Sequence, residues 1–316
     1  MRSRRKRYAY SLNALYRHLG LSKQAVHQAI QRQKQLETQW GALLADVDQL
    51  REAQPGCGVE KMYYTLKPNW IGRDRFIAFC MELGYGLHPK RVAHRTTYSG
   101  TITYPNLITG MLLNRPNQVW QSDITYIRVQ DQFYYAVFII DIYTRKIVAY
   151  TVSDHLRAEA NLKALKMALK HHQAPEIHHS DRGTQYTSKA YSAHLNAHNT
   201  LISMGLVAQD NAFAERINRT IKEEYLNHWT ITSFAQLKSC LKKAVNHYNT
   251  QRIHNSIFRK TPRDFEREAL LLDQQNRPWT TIYTEGKEKT GWRSTPPPFL
   301  AKQSQGALIC PMFLYL

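Results

Sequence analysis

Val119-Trp120-Gln121-Ser122-Asp123-Ile124-Thr125-Tyr126-Ile127-Arg128-Val129 is the stretch on which the fold of this chain turns. Its β-branched and aromatic residues predict a strand, and the strand carries a carboxylate within it. Residues 133–143 repeat the composition and predict a second strand. Tyr143-Thr144-Arg145-Lys146 turns the chain into a third, residues 147–152. Residues 158–171 then read as an amphipathic helix with Leu162, Leu165 and Leu169 on its buried side. A short fourth strand follows at 176–180, a helix at 188–198, a fifth strand at 201–204 and a long helix from about Asn211. The order β-β-β-α-β-α-β-α implies an α/β domain, a mixed five-stranded sheet with helices on its faces.

Three acids stand out by their places in that order. Asp123 lies inside the first strand, Asp181 just beyond the fourth, and Glu215 in the first turns of the last helix. If the first and fourth strands are neighbours, all three converge at one edge. Clustered carboxylates repel one another, and Mg²⁺ or Mn²⁺, which prefer oxygen ligands, gives them a reason to coexist. Two such ions suit phosphodiester chemistry, one side activating the attacking oxygen and the other stabilising the leaving oxygen. At 100° per residue, Phe213, Ile217 and Ile221 share one face of the last helix, while Glu215, Arg219 and Lys222 share the opposite one. That face reads either as a metal ligand followed by two phosphate-binding cations or as a solvated charged surface.

Other polar residues near these acids read as structural. Asp141 precedes a turn and is expected to hold it. His178 and His179 are expected to alternate in and out along a strand, since oxygen-ligated Mg²⁺ does not seek imidazole. Trp120 reads as core. Arg252 and His254 read either as DNA contacts or as ties between the last helix and the sheet.

Composition narrows the partner. Across 316 residues, 43 Lys and Arg stand against 24 Asp and Glu, a formal charge of +19 with a pI near 9.8. Such an excess suits a polyanion, because each cation set against a phosphate releases condensed counterions. Cys57, Cys80, Cys240 and Cys310 form no CxxC pair, which argues against a disulfide framework or zinc site. No run of about 18 apolar residues predicts a membrane span. A cytoplasmic protein that meets DNA is the expected setting.

Towards the beginning, the first 35 residues hold nine Lys or Arg and no acid. Leu12, Leu15, Tyr16 and Leu19 fall at helical spacing before Gly20, and Ser22 caps a second helix with Val26 and Ile30 facing inward. Lys23, Gln24, His27 and Gln31 then point outward. The pair reads as a DNA-binding helix-turn-helix or as an ordinary helical hairpin. A longer helix with Leu36, Trp40, Leu43, Val47 and Leu50 follows, whose seam either packs within its own domain or dimerises. Pro55-Gly56-Cys57-Gly58 ends it. The expected divisions are 1–54, a second helical DNA-binding unit at 55–95, a linker at 96–116, the α/β core at 117–270 and an irregular tail at 271–316.

Five ordered segments, from about Asn117 to Phe265, resemble the OrfB-type transposases of the bacterial insertion-sequence-three group, which share the retroviral-integrase catalytic core. They are 119–127, Asp141-Ile142-Tyr143-Thr144-Arg145-Lys146-Ile147-Val148, His179-Ser180-Asp181-Arg182-Gly183-Thr184-Gln185-Tyr186-Thr187-Ser188, Asp210-Asn211-Ala212-Phe213-Ala214-Glu215-Arg216, and Tyr248-Asn249 through Arg252, His254-Asn255-Ser256 and Thr261-Pro262. The resemblance implies a ribonuclease-H-like fold and a DDE triad of Asp123, Asp181 and Glu215. It matches Lys222 to the basic residue that such cores use near the transposon end. It further implies double-stranded DNA partners (terminal inverted repeats and target DNA), a homo-oligomer assembled on DNA, a nucleoid-associated bacterial location, and an upstream-frame partner protein as one arrangement. One departure is visible: 33 residues (182 to 214) separate Asp181 from Glu215, two fewer than the family usually places there. Asp210 and Glu223 are therefore alternative third acids.

Overall fold

The computed structural model describes residues 12–87, 104–205, 208–282 and 292–293. Helix α1 (Leu12–His18) turns into α2 (Lys23–Ala53) through Gly20, whose φ of +64° lies in the region glycine favours. The amide of Leu21 donates to the Tyr16 carbonyl, and the Ser22 hydroxyl accepts from the Ala25 amide at 3.0 Å, the expected cap. The two helices expected after Ser22 are one element of 31 residues, because no Gly or Pro interrupts residues 30–40. The inward face expected of the hairpin is not buried. Leu15, Leu19 and Ile30 are 47%, 58% and 46% exposed, so this hairpin has little core of its own.

A core begins further along α2. Leu43 and Val47 pack with Cys57, Val59 and Met62, where α3 (Val59–Leu66) starts, and with Phe76 and Cys80 of α4 (Arg73–Glu82). The division expected at residue 54 falls inside this cluster, so the end of α2 and the next two helices form one packed unit. Lys90, Arg91 and Arg95 of the expected second DNA-binding unit lie outside the described residues.

The sheet domain follows the expected order closely. Strand β1 (Leu112–Leu113) precedes β2 (Val119–Val129), β3 (Gln132–Asp141) and β4 (Ile147–Ser153). Then come α5 (Ala158–His171), β5 (Ile177–Ser180), α6 (Lys189–Asn196), β6 (Leu201–Met204), α7 (Ala212–Glu224), α8 (Phe234–Thr250) and α9 (Pro262–Leu271). The five-stranded sheet runs β4-β3-β2-β5-β6. Strand β3 is antiparallel to β2 and β4, while β2, β5 and β6 are parallel. The first and fourth strands of the expected five are therefore neighbours, with Ser122 opposite Ser180. This is the ribonuclease-H-like mixed sheet.

Period-two alternation sends β2 side chains to two cores. Trp120 and Ile124 pack among residues of α5 and α6, whereas Ile127 and Val129 pack among those of α7 and α8. Asp123 thus shares its strand face with Gln121 and Ile127, towards α7. The turn after β3 is held by Asp141, whose carboxylate accepts from the amides of Asn117 (2.6 Å) and Thr144 (2.7 Å) and from the Thr144 hydroxyl (2.9 Å). Its structural role is as expected.

The expected linker and tail meet. Strand β1 pairs with β7 (Trp279–Thr281), which pairs with β8 (Trp292–Arg293). Ile108, Leu113 and Ile282 close an apolar cluster with Val119, Tyr143 and Phe265, so residues 104–116 and 271–282 belong structurally to the core domain. Strands of two or three residues leave no periodicity to read. Among the described residues, no helix is long and apolar enough to cross a membrane.

Candidate active site

Asp123 sits in the interior of β2, opposite Phe138 of β3. One of its carboxylate oxygens accepts from the Asn218 side-chain amide at 2.7 Å. Burial pushes its pKa up to about 8; the neighbouring charge of Asp181, and more weakly that of Glu215, add to the rise, against donors from the Ile124 amide and Asn218. Asp181 stands one residue beyond β5, where its carboxylate accepts from the Gly183 amide at 3.0 Å. Burial raises its pKa too. Gly183 is fixed by crowding: a Cβ there would stand 3.0 Å from the Asp181 carboxylate and 3.0 Å from the Gln185 side-chain oxygen.

Glu215 lies in the first turn of α7. Burial raises its pKa and Asp181 adds to the rise, while Arg219 opposes it. Asp123 and Glu215 each feel Asp181, and Asp123 also feels Glu215. Neither Asp210 nor Glu223 is among the charges that shift Asp123. Asp123, Asp181 and Glu215 thus lie near enough for their charges to act on one another, whereas Asp210 acts on His179 and Glu223 on Lys222. Among the described residues, no three acid, histidine or cysteine side chains are gathered closely enough to hold one ion as they stand. The donor chemistry nonetheless fits a hard divalent cation: the three groups are carboxylates, each with its negative form disfavoured by burial.

The helix is clamped to the strand by a residue with no acid-base chemistry. The Gln121 side chain donates to the Asp210 carbonyl at 2.7 Å and accepts from the Ala214 amide at 2.9 Å. It thus satisfies an amide at the start of α7 that has no partner within the helix. One turn on, Asn218 reaches Asp123, and Lys222 follows on the same face. Lys222 is half-buried and its pKa is lowered by burial, though Asp123 pulls it back up. The buried face of α7 is accordingly Ala214, Ile217, Asn218 and Ile221. Phe213, as expected, packs against the cluster that holds Val119 of β2 and Ile177 of β5, and the Arg145 guanidinium lies over its ring at 4.2 Å. Arg219 stays exposed beside Glu215.

Behind the acids, His178 and His179 are both buried, at 1% and 0% exposure, because β5 lies inside the sheet and is covered on both faces. Each bonds a hydroxyl, His178 that of Tyr191 at 3.0 Å and His179 that of Ser203 at 2.8 Å. Burial lowers their pKa values to about 3 and about 4, so both are neutral packing groups near pH 7. The Ser122 and Tyr186 hydroxyls meet at 3.0 Å in the interior, tying the Asp181 loop to β2. Tyr186→Phe is expected to lower stability by about 1 kcal/mol, since it removes the buried hydroxyl that meets Ser122 at 3.0 Å; thermal melting checks it.

The other predicted residues lie apart. Lys23, Gln24 and His27 are exposed on the first turns of α2. Arg252 is only 9% exposed. Its guanidinium is engaged by Glu224 at 2.7 and 2.6 Å and stands 2.9 Å from the His254 ring. That geometry is a tie within the fold. Sequence reasoning missed Asn218 and Gln121, although Asn218 stands three residues after Glu215 and four before Lys222, a spacing that marks one side of a helix.

An α/β core with this strand order is that of an integrase-type domain. Residues 114–209 match the integrase core domain family, and a second integrase core domain model matches residues 200–262. The chain is 33% identical over 218 residues to the uncharacterized 31 kDa protein of insertion element IS600 from Shigella sonnei, covering 66% of this chain and 80% of that protein. It is 31% identical over 192 residues to the transposase for insertion sequence element IS904 from Lactococcus lactis, covering 58% and 76%. To transposase InsF of insertion sequence IS3A from Escherichia coli it is 32% identical over 160 residues, 49% and 56% of the two chains. The chain belongs to the insertion-sequence-three group of DNA transposases, enzymes acting on DNA through an integrase-like core.

Proposed function

We propose that this transposase is of the DDE type, with Asp123, Asp181 and Glu215 as the ligands of Mg²⁺ or Mn²⁺, two ions when fully loaded. The observation that carries this reading is the electrostatic coupling of three carboxylates delivered by β2, the end of β5 and α7. When bound, the ions would supply an activated attacking oxygen and a stabilised leaving oxygen at a phosphodiester. The reaction is hydrolysis at an insertion-sequence end, followed by attack of the freed 3′-hydroxyl on target DNA.

The chain's own residues do the rest. Asn218 fixes the Asp123 carboxylate from behind, so Asp123 presents its charge in one orientation. Gln121 holds the first turn of α7 against β2, which fixes Glu215 relative to the strand acids. Lys222 and Arg219 neutralise phosphates of the strand lying along α7. Lys23, Gln24 and His27 read duplex DNA from the helix-turn-helix, and the packed unit of α2–α4 carries that reader. Arg252 serves DNA indirectly, by holding α7 in place. Terminal inverted repeats and target DNA are the partners, engaged by a homo-oligomer that assembles on DNA; an upstream-frame protein is a further partner in this reading.

The test uses a supercoiled plasmid carrying the gene of this protein with its flanking DNA. Mg²⁺-dependent nicking at the element ends, abolished by EDTA and by Glu215→Gln but retained in Asp210→Asn and Glu223→Gln, is the expected result. Retained cleavage in Glu215→Gln would remove Glu215 from the triad. Binding without cleavage in Mg²⁺ and in Mn²⁺ would leave a DNA-binding regulator instead.

A further inference from the structure

The parallel strands β2 and β5 pair as far as Ser122 and Ser180. Beyond that point β2 continues into Asp123, and the chain leaves β5 for Asp181. Ligands of open α/β sheets commonly sit in such a crevice, at the carboxyl ends of parallel strands. Asn211 stands at its mouth, where its side-chain amide donates to the Ser122 carbonyl at 3.3 Å. It is also the residue that opens α7. Steps of four, three and four residues lead from Asn211 to Glu215, Asn218 and Lys222, which is the spacing of one side of a helix. The side of α7 that carries Glu215 thus extends back to an amide that the proposed chemistry does not use.

Asn211 is 3% exposed and Asn218 5%, yet among the described residues the side-chain oxygen of each has no hydrogen-bond donor. Exchanging the oxygen and nitrogen of either amide does not mend this. It would set an oxygen against the Ser122 carbonyl in one case and against the Asp123 carboxylate in the other. A buried acceptor left without a donor is unfavourable, and folded proteins keep few of them. Here two stand beside Asp123, one bonded to its carboxylate and one to the carbonyl of the residue before it. The carboxylates call for positive charge, and the amide oxygens call for donors. A bare cation answers only the first need and a lone water only the second. Protein-bound Mg²⁺ usually keeps several of its waters, so a hydrated divalent cation answers both.

We infer that Asn211 is a positioning residue for the ion: its side-chain oxygen accepts a hydrogen bond from a water that a divalent cation held by Asp123 and Asp181 retains. The inference deepens the DDE reading and rests on it for the ion itself. The amide then serves both partners at once, its nitrogen fixed on β2 and its oxygen turned to the water.

The experiment titrates the full chain with Mn²⁺ in the absence of DNA and follows free Mn²⁺ by electron paramagnetic resonance. Wild type is compared with Asp123→Asn, Asn211→Ala and Asn211→Asp. The Mn²⁺ lost in Asp123→Asn defines the ion of this site. Asn211→Ala should weaken its binding by about 10–100-fold, the usual effect of removing a partner behind the ligands. Asn211→Asp gives up the bond to Ser122 just as alanine does, but it keeps an acceptor and adds negative charge. It should therefore hold Mn²⁺ at least as tightly as wild type. A residue that serves the fold alone would weaken binding in both variants or in neither, and either pattern overturns the inference. Should Asn211→Ala fail to fold, Asn211→Asp decides against wild type, and weaker Mn²⁺ binding there overturns it. Wild-type affinity in Asn211→Ala with loss in Asp123→Asn sinks this inference and leaves the DDE reading standing. A wild type without any Mn²⁺ that depends on Asp123 sinks the ion reading itself, and the role of Asn211 falls with it.

Discussion

Asp123→Asn is expected to lower Mg²⁺-dependent strand cleavage by at least about 10³-fold while leaving duplex affinity intact, because residues that act as one catalytic unit fail together. The substitution keeps the shape and an oxygen that can accept from Asn218, as the wild-type carboxylate does at 2.7 Å. Only the charge is lost. Asn218→Ala makes the complementary case. It leaves the carboxylate charged but unheld, and a partner behind a metal ligand typically matters by about 10–100-fold in metal affinity. Its defect should therefore appear as a higher Mg²⁺ requirement, with most of the cleavage rate recovered at saturating Mg²⁺. Single-turnover nicking across a Mg²⁺ series separates the two. An Asp123→Asn protein that still cleaves at a tenth of the wild-type rate would exclude this carboxylate from the chemistry. An Asn218→Ala protein equally slow at every Mg²⁺ concentration would exclude a positioning role.

The sheet was legible because its signals are local. Alternating β-branched and aromatic residues mark β2 and β3, and a turn held by Asp141 separates β3 from β4. The places of Asp123 and Asp181 in the fold were legible for a related reason: a carboxylate inside a strand or just beyond one is conspicuous against apolar neighbours. What the sequence hid depends on contacts between distant segments. Gln121 looks like any polar residue in a half-buried strand until α7, 89 to 93 residues later, lays its first turn on it. Arg252 reads as a DNA contact or a tie, and only the approach of Glu224, 28 residues away, decides between them. The pairing of β1 with β7 joins segments too short to show a period. The exposed Leu15, Leu19 and Ile30 show the limit from the other side. Helical spacing predicts which residues share a face, and says nothing of whether that face has something to bury against.

The second large effect concerns how the helical unit is joined to the core. Glu224, at the end of α7, accepts from Arg252 at 2.7 and 2.6 Å, from Lys61 of α3 at 3.0 Å, and from the Gln54 side chain. Its carbonyl accepts from the Gly56 amide at 2.9 Å. Glu224→Ala would leave Arg252 and Lys61 largely buried without their carboxylate, a loss expected to cost about 3–5 kcal/mol. Thermal melting measures it, and melting within a degree of wild type would rule it out. Gly56→Val tests the same junction without touching charge. Even a bare Cβ at Gly56 would fall 2.4 Å from the Glu224 Cα and 2.7 Å from the Glu223 carbonyl, so the helical unit must move off α7. Protease cleavage near residue 56 should accelerate, while the sheet domain keeps its own melting transition. The sign of the acid response follows from the pairing. Burial pushes the Glu224 pKa up, but the bonds and charges of Arg252 and Lys61 outweigh it and hold the pKa below its usual 4.5, so its contribution is present above pH 4.5 and is lost as pH falls through that lower folded value. The gap in stability between wild type and Glu224→Gln should therefore be constant from pH 7 down to about 4.5 and then narrow. A gap that widened in acid would mean that Glu224 is not the carboxylate holding the two units together.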